Sequence, residues 1–437
     1  MLAVVAALAV TGGQLAVGGL FRDSGPAVVP APAGSPAAPA ASPPATSAPA
    51  GPSLPEEQAR FVLNLRAKAV LQHDRISFLA TVDGRDQAFY RSQAALYERM
   101  ATVPFSAFAY TLPHPLRDLA TERVRRRYGP AGAFVFPVEV TYRFRGQDAS
   151  PVLARLFYTF AYRRAGWQIV GQDELRPRLR DDVEIWDAGP VRTVATSRTL
   201  VVFHPGDAAV ARRLLDVAER GYGQVAASWS ARWERKVVIL VPRDQGEAQR
   251  MVRTRDLSDV AAVTSSVVEA GPSHQVLGNR IITNTSVMRR YATLDLQIVL
   301  THEMTHVATR KVGVGVPLYL VEGFADYTAL RPFAVPLRVT RPALAAAVGA
   351  GRFGGRLPSE SQLLGRNAEL AYDEGSSFCL WVARSFGEGK LQALYRSFGD
   401  LDGDPGRRDE DVRFRRVLGI SRAVAEARWA AFVRGAL

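Results

Sequence analysis

A chain of 437 residues, 47% of them apolar, exceeds what one ordinary core can organise and should divide into two domains plus linking or targeting segments. Its net charge of +13 comes almost entirely from arginines spread along the whole chain, with no Lys/Arg block dense enough to make a nucleic-acid footprint, so no nucleic-acid partner is expected. The single cysteine, Cys379, excludes an intramolecular disulfide and any cysteine-based metal site, and its apolar neighbours read as the setting of a buried, inert thiol.

Residues 1–21 are almost wholly apolar and carry no charge until Arg22 and Asp23. A run of about 20 such residues can span a bilayer. No basic residue precedes it and no small-residue cleavage pattern closes it, so an uncleaved membrane anchor is read slightly ahead of a cleavable signal peptide. Either implies an extracytoplasmic protein, membrane-anchored or secreted. Residues 22–55 are mainly Pro, Ala, Ser and Gly, the composition of a disordered, semi-extended tether with little to bury.

A first α+β domain is expected over residues 56–178. Helical periodicity runs through Ala59, Val62, Leu63 and Leu65 to Leu71, and again from Gln87 to Met100. Strand-like alternation follows in Phe134–Phe144, Val152–Arg163 and Trp167–Val170, rich in β-branched and aromatic residues. Helices followed by strands that end in Gly166-Trp-Gln-Ile-Val-Gly-Gln-Asp-Glu174 resemble the SnoaL-like or nuclear-transport-factor-like cone domains, which implies a curling antiparallel sheet. No acid–base pair stands out in this region. His73 and Asp74 are adjacent, but they read as a solvated helix surface.

The second domain is expected over residues 190–437. It opens with a strand at Thr199–Phe203, a helix from about Gly206 to Trp229, a second strand at Lys236–Val241 and a helical region from Arg243 to Arg255. A further strand is read at Arg280–Asn284. Then comes a helix from Asp295 to Lys311 that carries His302-Glu303-Met304-Thr305-His306. Residues four apart share a helical face, so His302 and His306 can offer imidazole nitrogens to one tetrahedral zinc ion. Glu303 falls beside that face, placed to take a proton from a water that the metal has acidified. With only six histidines in the chain, chance is a poor source of this spacing, although two histidines on a solvated helix would look the same.

Past a glycine-rich turn, Pro317 is well placed in the first turn of a new helix reading Leu318-Tyr-Leu-Val-Glu322-Gly-Phe-Ala-Asp326-Tyr327. Glu322 follows His306 by 16 positions, within the range by which a reversed helix returns a carboxylate to the metal. Asp326, one turn later, can accept the spare N–H of a ligand histidine and fix its tautomer. The combination of His-Glu-x-x-His with a helix reading LVEGFADY resembles the gluzincin zinc metallopeptidases, in particular the peptidase MA-like group, over residues 198–435. That resemblance implies a zincin-like domain with a small mixed sheet and a mostly helical C-terminal half. It also implies His302, His306 and Glu322 as zinc ligands, Glu303 as general base and Asp326 as support for a ligand histidine.

Tyr372, in Leu370-Ala-Tyr372-Asp-Glu374-Gly-Ser376, is expected at the start of an apolar helix. The stretch is similar to the Tyr-x-Lys-Gly segment of the zinc aminopeptidases, whose tyrosine steadies the developing oxyanion; here Glu374 stands in place of the lysine. His274 and Asn284 are the next donors in line. Those enzymes also carry a Gly-x-Met-Glu-Asn strand that binds the substrate amine, whereas here Gly278–Asn284 reads Gly-Asn-Arg-Ile-Ile-Thr-Asn, so exopeptidase specificity is not implied. This strand is read instead as an edge that pairs with an extended substrate. Together these readings describe a zinc metallopeptidase with one zinc ion and a peptide or protein substrate, reaching the membrane through its N-terminal segment. The alternative is a catalytically inactive, zinc-stabilised binding or scaffold protein whose cone domain is the functional module.

Overall fold

The computed structural model describes residues 56–128, 132–253, 257–258, 260–268, 276–313, 315–333, 335–365, 368–399 and 410–437. The expected anchor and tether, residues 1–55, and His274 lie outside them. The architecture is mixed α/β, with two sheets and a helical C-terminal half. Among the described residues no helix is long and apolar enough to cross a membrane.

Helices Glu56–Leu71, Arg75–Ala80 and Gln87–Met100 precede an antiparallel sheet of β1 (Phe105–Thr111), β2 (Ala133–Phe144), β3 (Val152–Arg163) and β4 (Gly166–Gly171), ordered β1-β2-β3-β4 and curled. Strict alternation along β2 puts Phe136, Val138, Val140, Tyr142 and Phe144 into one core. Asp74 is not a free surface residue. Its carboxylate caps the second helix, accepting from the Ser77 N–H at 3.0 Å and from its hydroxyl at 2.6 Å.

The second sheet runs β5 (Arg192–Ala195), β6 (Thr199–Phe203), β7 (Val237–Val241), β9 (Val276–Thr283) and β8 (Ala262–Val268), in that spatial order. Strands β6, β7 and β9 are parallel, while β5 and β8 run antiparallel at the two edges. β6 and β7 are wholly buried because both faces are covered. Val201, Phe203, Val237, Ile239, Val241 and Ile281 face the helices of the C-terminal half. Leu200, Val202, Val238, Leu240 and Ile282 face the other way, into a core that runs without a break into the first sheet and its helices.

β8 went unread because its seven residues, Ala-Val-Thr-Ser-Ser-Val-Val, show neither apolar–polar alternation nor an unbroken apolar run. Its presence corrects the expectation for Gly278–Asn284. β9 is paired with β7 on one side and β8 on the other, so the edge available to an extended chain is β8.

The helix Thr293–Thr309, called here the motif helix, packs on this sheet with the long Ala208–Ser228 helix beside it. From Ile298 to Thr309 every residue is buried, so its hydroxyls need partners inside the helix. Thr305 and Thr309 donate to the carbonyls one turn back, at 2.7 and 2.9 Å. The carboxylate helix, Leu318–Leu330, begins just after Pro317, which serves as its cap residue and accepts the Leu320 N–H at 2.9 Å. It crosses the helix Ala368–Phe386 at two glycines. A Cβ on Gly375 would stand 2.6 Å from the Tyr319 carbonyl oxygen, and one on Gly323 would stand 2.9 Å from Cys379 Sγ. Only glycine permits that approach. Cys379 is buried at the crossing, and burial pushes its thiol well up.

Candidate metal centre

Three proton acceptors converge between the motif helix and the carboxylate helix. His302 Nε2 and His306 Nε2 stand 3.0 Å apart, and Glu322 Oε2 lies 3.4 Å from the first and 3.6 Å from the second. The two histidine–carboxylate edges have the spacing of ligand atoms gathered about one small ion, and the edge between the histidines is shorter. The group is fully buried and can bind a metal ion.

His302 Nδ1 lies 2.9 Å from Asp326 Oδ1, which fixes one ring proton on Nδ1, so that in the neutral ring Nε2 turns a lone pair toward the cluster. Among the described residues neither oxygen of Glu322 has a hydrogen-bond donor, although both are buried. A carboxylate left so in a dry interior is costly unless a cation answers it. One proton shared with the histidines, or a metal ion, meets that need. Burial works against a charged His302, but Asp326 and Glu322 outweigh it and push the imidazole up to about 10. Burial likewise opposes the Glu322 charge, yet the two histidines hold its carboxyl below the usual range.

Glu303 is also buried. Burial raises its carboxyl, with His306, His302 and a hydrogen bond from Thr264 pulling the other way. Thr264 Oγ1, on edge strand β8, donates to Glu303 Oε2 at 2.5 Å, while Oε1 has no partner among the described residues and is left to accept. Tyr372 lies inside the Ala368–Phe386 helix, correcting its expected place at a helix start; Ala371, Gly375 and Phe378 continue the buried face without a break. Its phenol is raised by burial first and then by the charges of Glu322, Asp326 and Glu303. Asn284, the reserve donor, is spent elsewhere: its amide donates to the Leu257 carbonyl at 2.7 Å.

No known family model matches this chain, and no curated protein is found similar to it.

Three contributors went unread in the sequence. Thr264 is one. Arg341, buried at the end of a short helix, donates to Ser376 Oγ and stands 4.0 Å from Asp326 Oδ2, holding that carboxylate from behind. Asp373 accepts the Leu344 N–H at 3.0 Å, and burial pushes it up to about 7 in spite of Arg341. None of the three has a spacing signal, since each reaches the site across the fold. Because Asp326 is held on one side by Arg341 and bonded on the other to His302, Asp326→Asn should weaken metal affinity about 10–100-fold without unfolding the protein. Competition titration against a chelator checks this, with wild-type affinity as the contrary result.

Proposed function

We propose that the chain is a zinc-dependent metallopeptidase, a cone-like N-terminal domain joined to a zincin-like domain that works outside the cytoplasm on a peptide or protein. The observation that carries this reading is the convergence of His302 Nε2, His306 Nε2 and Glu322 Oε2 beside a buried carboxylate, Glu303, with one oxygen unpartnered among the described residues. Two nitrogens and one oxygen suit zinc, and three protein ligands leave a fourth position open. Bound there, zinc supplies Lewis acidity to a water and to a scissile carbonyl.

The chain's own groups then have separate tasks. Glu303 takes the proton of the attacking water on Oε1 and hands it to the leaving amine, while Thr264 keeps its other oxygen fixed. Asp326 keeps the His302 proton on Nδ1 so that Nε2 stays a ligand. Tyr372 donates to the substrate carbonyl oxygen as negative charge develops there. The substrate backbone pairs with the outer edge of β8, which carries Thr264 and packs on the motif helix.

Metal analysis of the purified chain together with cleavage of a peptide library tests the reading. Zinc near one per chain, with cleavage that a chelator stops and zinc restores, is expected; a chain that binds no metal, or a zinc-loaded chain that cuts no peptide, would overturn it. Tyr372→Phe removes one oxyanion donor and leaves the ring in place, so kcat should fall about 10²–10³-fold with little change in KM or metal content. Wild-type kcat in that variant would take Tyr372 out of the mechanism.

A further inference from the structure

We propose that the N-terminal α+β region is a working part of the metal centre: Asp148 grips Arg280 and thereby fixes the β9–β8 pair whose Thr264 holds the Glu303 carboxylate. The role given to Glu303 rests on the peptidase reading; the mechanical coupling does not.

The linkage can be followed bond by bond. Asp148 follows β2. Arg280, on β9, meets it with two parallel hydrogen bonds, Nη1 to Oδ1 and Nη2 to Oδ2, each 2.7 Å, and both side chains are only 5% exposed. This is the forked guanidinium–carboxylate geometry that fixes orientation as well as distance. Asp148 is itself held, because its Oδ2 accepts the Phe144 N–H at 2.7 Å. The guanidinium lies over the Phe144 ring at 4.6 Å and near that of Tyr142 at 5.5 Å, so it is enclosed by side chains of the first sheet. Next to it, Gly278 adopts φ +62° and its missing Cβ would stand 2.5 Å from Val152 Cγ2 on β3, a close approach that only glycine allows.

Across the ladder Arg280 is the partner of Ser265, and the next pair is Ile281 with Thr264. Thr264 therefore sits one residue from the anchored position, pointing to the opposite face of the sheet, where it donates to Glu303. Among the described residues β8 is an edge strand whose one neighbour in the sheet is β9. Whatever fixes β9 thus decides how firmly Thr264 is placed. The shared core beneath, with Leu200, Val202, Val238, Leu240 and Ile282 buried against the first region, makes this a continuous body and not a tethered accessory.

Hydrogen–deuterium exchange and steady-state kinetics on the full chain test the proposal, using Asp148→Asn, the more severe Asp148→Ala, Asp148→Glu as the charge-conserving variant, and Arg75→Ala as a control that breaks an exposed ion pair. Asp148→Asn leaves Arg280 buried without its counter-charge, so amide exchange should quicken about tenfold in β9, in β8 and in the motif helix around Glu303. Metal content should stay at the wild-type level, since no ligand is touched. kcat should fall about tenfold with KM nearly constant, because a misplaced base slows chemistry and not binding. Asp148→Glu should recover part of both effects and Arg75→Ala should show neither. Exchange that stays at wild-type rates in β8 and the motif helix of Asp148→Asn overturns the coupling. Faster exchange with unchanged kcat overturns the link to Glu303. If wild-type protein cuts no peptide, the peptidase reading fails by itself and the exchange pattern still decides the coupling.

Discussion

Glu303→Gln should lower kcat about 10²–10⁴-fold while the protein keeps its full complement of metal. The magnitude follows from what the side chain is placed to do. Its Oε2 is occupied by the Thr264 hydroxyl and its Oε1 has no partner among the described residues, so one oxygen is anchored and the other is presented to a reacting proton. Glutamine has the same shape and can accept the threonine hydroxyl through its carbonyl oxygen, but its amide cannot take up a proton near neutral pH. The ligand atoms of His302, His306 and Glu322 are untouched by the change. Loss of turnover with metal retained separates a missing base from a damaged site. A Gln variant that turns over at the wild-type rate would show that Glu303 only buttresses the sheet through Thr264.

How much of this site the sequence made legible depends on whether the partners are local. His302 and His306 are fixed to one face by helical geometry, and Glu322 and Asp326 to another, so both pairs could be read before any coordinates. The turn between the helices is short, and one reversal brings the two faces together. Strands β2, β3, β6 and β7 were equally readable, because alternation or an unbroken apolar run records how many of their faces are covered. Thr264, Arg341 and Arg280 were not. A threonine in a strand is ordinary, and its value here comes from a helix that lies 39 residues further along the chain. Arg280 looks like one arginine among many in a basic chain, and only the fold reveals that it is enclosed by Phe144 and paired with Asp148 from a different sheet. The edge position of β8 is also a property of sheet order, which no local pattern encodes; β9 was read as the edge and yet lies inside.

His306→Ala should abolish zinc binding, and the loss should be visible as stability as well as content. In the wild-type pocket three acceptors lie 3.0–3.6 Å apart with the Glu322 carboxylate lacking any donor among the described residues, an arrangement that is favourable only when a positive charge sits among them. A ligand that binds only the folded state stabilises it by about 4 kcal/mol at a thousand times its dissociation constant. For a folded body of roughly 350 residues that is worth on the order of 5 °C in thermal midpoint. Stripping the wild type with a chelator should therefore lower its midpoint by about that amount, and restoring zinc should recover it. In His306→Ala one of the three ligand atoms is gone, two protein ligands cannot hold the ion against water, and neither chelator nor zinc should move the midpoint. The measurement is a pair of thermal scans with metal analysis alongside. Zinc retained at one per chain after both His302 and His306 are replaced by alanine would mean that the ion sits elsewhere and that this buried cluster is held together by a proton instead.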